Sequence, residues 1–346
     1  MTAQQWKSHK IPPGHLLMGI LFLAGLWMAG RKFLDARELK LVFAQLNYWY
    51  GPLLLALPLL YLGLKSLRYA DLFCVSGPAL RQNERKSTIV SYLAAQMVTL
   101  LPGGYVARIG LVEASAGLGT RAVLPTLLEK GIDLFALLLL GLGTSYLFPE
   151  TRHYSAMLGV IIAAVLAAAT SSRFRSTVKQ SLLWFADRFG KQDLARQALT
   201  GKRPNWGQVW ELVFKTAAVV TLELFALWLA FHALGLDANP LLLIMAYCTA
   251  DLIGRLAPTP GGFGFTEVGM VALLSSFSAL TLNQAAAATF LFRGTIYLAP
   301  ALYGLLSYLF LWIPMVTPDR EESTLFRNQP STQNSRALGL VSYTRN

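Results

Sequence analysis

Apolar segments run almost from end to end of this chain, and the charged residues gather between them. Six segments are candidates to enter a bilayer: 15–29, 48–64, 123–148, 157–170, 212–234 and 285–313. A helix that crosses the hydrocarbon needs about 20 apolar residues, within a range of roughly 17–25. Lipid offers no hydrogen bonds to an open backbone, so such segments must be helices or a closed barrel, and the continuous apolar runs favour helices. Charged residues make up 14% of the 346 and hydrophobic ones 54%. A soluble domain carries about 25% charged residues, so this chain has too little polar surface to cover itself in water. The expectation is an all-α polytopic membrane protein. Its membrane domain covers 1–316, and a tail rich in Ser, Thr, Gln and Asn, expected to be disordered and cytoplasmic, covers 317–346.

Two further apolar stretches, 87–101 and 241–256, are short, and each runs into a Pro-Gly-Gly break. The breaks are near copies: Pro102-Gly103-Gly104-Tyr105 and Pro260-Gly261-Gly262-Phe263. A second short helical stretch follows each. One reading is a pair of broken, re-entrant helices that enter the bilayer, stop and return to the same side. Irregular backbone at that depth is tolerated only where protein or a wet cavity covers it. The plainer alternative is two kinked spans at each place. Further along, Leu128-Glu129-Lys130-Gly131 and Leu291-Phe292-Arg293-Gly294 repeat a charged residue and a glycine in the same order.

Charge placement supplies a topology. With the first pair re-entrant, the stretch 65–86 (Lys65, Arg68, Arg81, Arg85, Lys86), the strongly basic stretch 171–208 and the tail fall on one side. The charged stretch 31–40 is an exception, partly offset by Asp35 and Glu38. By the positive-inside rule both termini are cytoplasmic, in the inner membrane of a bacterium. The two breaks then open from opposite sides. Inverted repeats with broken helices near the midplane are a signature of transporters.

The net charge of +12 sits in loops, where it attracts anionic lipid, and no nucleic-acid module accompanies it. Nucleic acid is not an expected partner. Cys74 and Cys248 form no framework, and His9, His15, His153 and His232 are scattered, so no metal and no cofactor is expected. The first apolar run lacks a clear cleavage site and reads as an uncleaved anchor. The stretch 172–203 mixes Leu182, Leu183, Trp184, Phe185 and Phe189 with basic residues. It reads either as an amphipathic helix on the cytoplasmic leaflet or as a solvated connector.

A charge at the bilayer centre costs about 2.5–3.5 kcal/mol on insertion scales, so each one needs a partner or a wet space. Asp251 and Arg255 share a helical face at i,i+4, as do Glu129 and Asp133. The functional hypothesis is that Arg108, Lys130, Arg255 and Arg293 line a polar cavity that receives a lipid phosphate, to which an arginine fork donates bidentately. Glu129, Asp133, Asp251 and Glu267 would balance them, or accept a cationic head group or protons. The alternative is that these charges pair with one another and hold the helices together. Glu267 has its own plain reading, an acid complementing the first turn of a helix. Glu113 and Glu223 read as interfacial or locally paired. Pro102, Gly103, Gly104, Pro260, Gly261 and Gly262 serve the helix breaks.

The segment from Leu256 through Pro258, Pro260, Gly262, Phe263 and Gly264 to Glu267 resembles the Pro-x-x-Gly-x-Gly-x-x-Glu segment of the lysylphosphatidylglycerol synthase transmembrane, or flippase-like, family. Leu291-Phe292-Arg293, with Pro300 and Gly304 beyond, is similar to that family's later arginine-bearing helix, and Gly103-Gly104 followed by Arg108 looks like its first half. The resemblance covers most of 87–311. It implies the lipid-moving part of a bifunctional protein without the lipid-making part, and a membrane lipid, anionic or polyprenyl-linked, as partner. The leading expectation is translocation of a phospholipid or lipid-linked glycan head group, with no enzymatic chemistry. A second is a non-transporting membrane partner or regulator of a glycosyltransferase or lipid-synthesis pathway. A lipid-modifying enzyme using Glu129 and Asp133, and a transporter of small solutes, remain as further alternatives.

Overall fold

The structure, a computed structural model, describes residues 34–99, 104–171, 176, 180, 205–257, 259 and 262–317. Every regular element among them is helical. Helix α1 (Ala36–Ala44) starts at Asp35, whose carboxylate accepts from the Arg37 amide at 2.8 Å. Helix α2 (Tyr48–Ser76) opens with a 3₁₀ turn capped by Asn47. Helix α3 (Gln82–Ala94) tightens into a 3₁₀ turn at Ala95–Val98 as it reaches the first break, and α4 (Gly104–Ala116) follows. Then come α5 (Gly119–Leu147), α6 (Arg152–Thr170) and α7 (Trp206–Ala233). Helix α8 (Pro240–Leu256) has proline in its first turn, where the missing N–H costs nothing. Helix α9 (Phe265–Phe277) lies beyond the second break, and α10 (Leu282–Val316) is the longest.

Helix α10 widens into π-helical turns at Gly294–Leu298 and Tyr308–Trp312. Each precedes a proline, Pro300 and Pro314. A proline removes the bond to the carbonyl four residues back and crowds it, so the helix relaxes there. The first π turn holds Tyr297, whose hydroxyl reaches Asp251 of α8.

The helices on either side of each break lie against one another. Between α3 and α4, the Ser91 and Ser115 hydroxyls meet at 2.7 Å, and Gly104 abuts the Val98 backbone. Between α8 and α9, Gly254 abuts Gly262 and Thr266, while Gly269 abuts Ala250. In both pairs residues near the break meet each other and residues farther away meet each other, so the partners run antiparallel. Close approach demands the missing side chains. A Cβ on Gly262 would lie 2.8–2.9 Å from Gly254 backbone atoms, and its φ of 71° also favours glycine.

Helices α5 and α8 pack together, as do α2 and α7. Gly304 of α10 seats against Gln96 and Met97 at the end of α3. A large apolar core joins α2, α5, α7, α8, α9 and α10, and a smaller one (Tyr69, Phe73, Tyr92, Val112, Leu118, Ala122) lies under the first pair. The outer faces stay apolar. Leu55, Leu59 and Leu60 on α2 and Leu302, Leu306 and Phe310 on α10 are each at least half exposed. The most apolar windows of α2, α7 and α10 are only 39%, 39% and 28% buried. These three are long and apolar enough to cross a bilayer, and lipid is the solvent that suits their open faces.

The structure corrects the stretch 65–86. Helix α2 runs on to Ser76, so Lys65 and Arg68 are buried helical residues rather than loop charges. Leu67, Tyr69, Ala70, Leu72 and Phe73 extend the apolar pattern around them. Likewise 36–40 of the charged stretch 31–40 forms the start of α1. The segments 15–29, most of 172–203 and the tail 318–346 lie outside the described residues, as do Pro102, Gly103, Pro260 and Gly261.

Candidate functional site

The buried charges gather at the centre of the helices in linked groups. The first hangs on α5. Glu129 and Asp133, one turn apart on one face, both turn toward α2, where Arg68 is fully buried. Arg68 donates to Asp133 at 2.6 Å and lies 3.7 Å from Glu129. Its other terminal nitrogen reaches the Thr216 hydroxyl on α7 at 3.3 Å. Arg108 of α4 pairs with the second Glu129 oxygen, and the Tyr92 hydroxyl donates to the first at 2.6 Å. The Arg108 guanidinium stands over the Tyr92 ring at 4.2 Å and the Tyr69 ring at 5.3 Å, a cation–π arrangement.

A second group is centred on Glu223 of α7. The Tyr61 and Tyr247 hydroxyls donate to its two oxygens at 2.5 and 2.9 Å. Lys65, one turn after Tyr61, donates to the Tyr61 oxygen at 2.6 Å. It also stands 3.6 Å from both Asp133 and Glu223, so it joins the two groups.

The third belongs to the second break. Asp251 and Arg255 form the i,i+4 pair at 2.8 Å, and the Tyr297 hydroxyl donates to Asp251 at 3.1 Å. Glu267, in the first turn of α9, accepts from the Gly264 amide with one oxygen and from Arg293 with the other, both at 2.5 Å. Arg293 also stacks over the Tyr297 ring at 3.5 Å. Burying these pairs costs several kcal/mol of desolvation per ion before their attraction is counted, so the groups hold together only because nearly every carboxylate oxygen finds a donor.

A cavity of about 430 Å³ opens among the three groups. Tyr92, Gln96, Thr99 and Arg108 line it from the first broken pair; Gly254, Arg255, Thr259 and Gly262 line it from the second. Tyr61 and Lys65 of α2, Lys130, Gly131 and Leu134 of α5, and Ile296, Tyr297 and Pro300 of α10 complete the wall.

Of the residues singled out in the sequence, Arg108, Lys130 and Arg255 line this space, while Arg293 lies behind the wall against Glu267. Its pairing with Glu267 and Tyr297 follows from the π turn and the helix start, neither visible in spacing alone. Glu129, Asp133, Asp251 and Glu267 all hold cations, as the pairing alternative expected, and the same geometry leaves other cations facing the cavity. Gly104 and Gly262 lie at the close approaches within each pair. Glu113 accepts locally from the Gly119 amide, whereas Glu223 is a buried hub. Sequence reasoning missed Lys65, Arg68, Tyr61, Tyr92 and Tyr297. The first three sit at i, i+4 and i+7 on one face of α2, the signal that could have found them. Among the described residues no group of His, Cys, Asp and Glu suits a metal ion.

The family model described as the lysylphosphatidylglycerol synthase TM region matches residues 16–304, and the chain belongs to that family of membrane proteins. No curated protein and no solved structure matches it.

Proposed function

We propose that this member of the lysylphosphatidylglycerol synthase TM-region family moves a lipid head group, from a phospholipid or a lipid-linked glycan, across the membrane without covalent chemistry. The observation that carries the reading is the cavity walled by both broken pairs and lined by ionised side chains in a protein whose outer faces are apolar. Well-packed apolar residues of similar volume would often be as stable as buried ion pairs, or more so. Charges kept around a polar space suit an occupant that is itself polar. A head group would sit in the cavity while its acyl chains stay in lipid.

Helices α3, α4 and α9 have 13 residues each, fewer than the roughly 17–25 of a full span, and this supports the re-entrant reading over two kinked spans. The antiparallel packing within each pair then returns the chain to the side from which the pair begins, and the two breaks approach the cavity from opposite sides. Under this reading the protein is an inverted repeat in a bacterial inner membrane, with both termini in the cytoplasm. Access alternates as one half rocks against the other around the fixed site. The reaction needs no cofactor: its parts are charge, shape and motion. Partnership with a glycosyltransferase is the competing reading.

The test is native mass spectrometry of the purified full chain, to identify a lipid that stays bound through delipidation, followed by reconstitution in liposomes with a fluorescent-acyl form of that lipid. Transfer between leaflets above protein-free liposomes, lost in Arg255→Ala while the variant remains folded by circular dichroism, is the expected result. Transfer at the protein-free rate by the wild-type chain sinks the proposal and leaves the partner reading in its place.

A further inference from the structure

The cavity wall carries charge of one sign. Lys65, Arg108, Lys130 and Arg255 line it, and no carboxylate is among its lining residues. The acids stand behind, engaged by donors. Glu129 accepts from Tyr92 and Arg108, Glu223 from Tyr61 and Tyr247, and Asp251 from Arg255 and Tyr297. Asp133 accepts from Arg68. Lys65 gives one hydrogen bond to Tyr61 and lies 3.6 Å from its two acids, beyond hydrogen-bond reach, so an ammonium with three donors keeps capacity toward the cavity. The three groups balance, five cations (Lys65, Arg68, Arg108, Arg255, Arg293) against five carboxylates (Glu129, Asp133, Glu223, Asp251, Glu267), and Lys130 brings a further cation to the wall.

An occupant with ammonium groups meets like charge here, and the one oxygen of these five carboxylates without a hydrogen bond, Asp133 Oδ2, is buried off the wall, 3.6 Å from the Lys65 ammonium that lines it. Like-charge juxtaposition in a desolvated site costs several kcal/mol. A phosphate meets the reverse: an arginine from each broken pair and a lysine from each of α2 and α5, with the positive charge of the wall offset as it enters. We infer that this cavity selects an amine-free anionic phospholipid head group, of the phosphatidylglycerol kind, and rejects the same head group bearing a lysyl ester. This inference rests on the translocation reading and narrows it to a substrate class.

The experiment compares two probes in neutral phosphatidylcholine liposomes holding the full chain: fluorescent-acyl phosphatidylglycerol and the same lipid bearing a lysyl ester. Loss of fluorescence to an external reductant reports transfer. The expected result is transfer of the anionic probe at least about tenfold faster than of the lysyl probe, a factor matching one strong charge contact. The variant Lys130→Glu, which places a carboxylate on the wall, is expected to shrink that ratio by about tenfold. Its folding is checked by circular dichroism, and native mass spectrometry reads the same preference in binding without requiring transport. Equal transfer of both probes, or faster transfer of the lysyl probe, overturns the charge selection and leaves translocation standing. Failure of both probes to move overturns the translocation reading and the selection with it.

Discussion

After each break a short helix is tied to the following long helix by a buried ion pair, but the two ties have opposite polarity. In the first half the cation is on the short helix and the acid on the long one: Arg108 of α4 to Glu129 of α5. In the second half the acid is on the short helix and the cation on the long one: Glu267 of α9 to Arg293 of α10. Both arginines stack on aromatic rings, Arg108 on Tyr92 and Arg293 on Tyr297. The likeness teaches that each break needs an anchor between its returning helix and the rest of the protein. The difference teaches what else the anchor does. The first tie is one link in a network with Arg68 and Asp133, and its arginine faces the cavity. The second is more self-contained, and its arginine stands behind the wall.

The largest expected effect tests that contrast by deletion. Arg68→Leu leaves the buried Asp133 without its 2.6 Å partner. Removing one partner of a buried pair costs about 3–5 kcal/mol, and the variant should unfold at much lower temperature in detergent. Arg293→Leu should cost less, about 1–3 kcal/mol, because Glu267 keeps the Gly264 amide and is 12% exposed. Differential scanning fluorimetry of the two variants measures the difference. Equal losses would remove the distinction between a networked and a self-contained tie.

A charge exchange sharpens the comparison further. In the second half, Glu267→Arg with Arg293→Glu preserves one cation and one acid facing each other. The double variant should recover part of what either single change loses, a coupling of about 0.5–3 kcal/mol. It also gives up the Glu267 acceptor at the start of α9, so recovery is partial. In the first half, Arg108→Glu with Glu129→Arg sets a guanidinium where Arg68 already lies 3.7 Å from the carboxylate. No recovery is expected there. A double-mutant cycle on each pair decides it, and rescue in the first half would show that Arg68 is indifferent to Glu129.

How much of this was legible in the sequence follows from the physics of each residue. Charges inside apolar helices announce themselves because each must find a partner or water, so Glu129, Asp133, Asp251, Arg255 and Arg293 stood out. The Asp251–Arg255 pair was readable because i,i+4 geometry is local. The cross-helix pairs were not, since Arg68 meets Asp133 only after α2 and α5 pack. Lys65 and Arg68 were hidden by the end of the apolar run: two cations close together resemble a cytoplasmic loop until their acids are found. The prolines of α10 were plain, but the π turn that carries Tyr297 to the cavity depends on how the helix relaxes around Pro300.

The smallest effect concerns the repeat itself. Gly131 follows Lys130 as Gly294 follows Arg293, and a Cβ at either glycine would meet nothing within 4 Å. Neither glycine is there for close packing, unlike Gly254 or Gly262. In a helix interior alanine is favoured over glycine by about 0.5–1 kcal/mol. Gly131→Ala and Gly294→Ala should therefore each leave stability unchanged or raise it by up to about that amount, as read by thermal unfolding. Only Gly131 lines the cavity. A methyl there takes space from the occupant, so Gly131→Ala should slow lipid transfer in liposomes while Gly294→Ala does not. Equal transfer by the two variants would mean that the occupant does not approach α5 at this turn. Equal slowing would mean that the glycine of α10 serves motion, giving its π turn the freedom to wind and unwind.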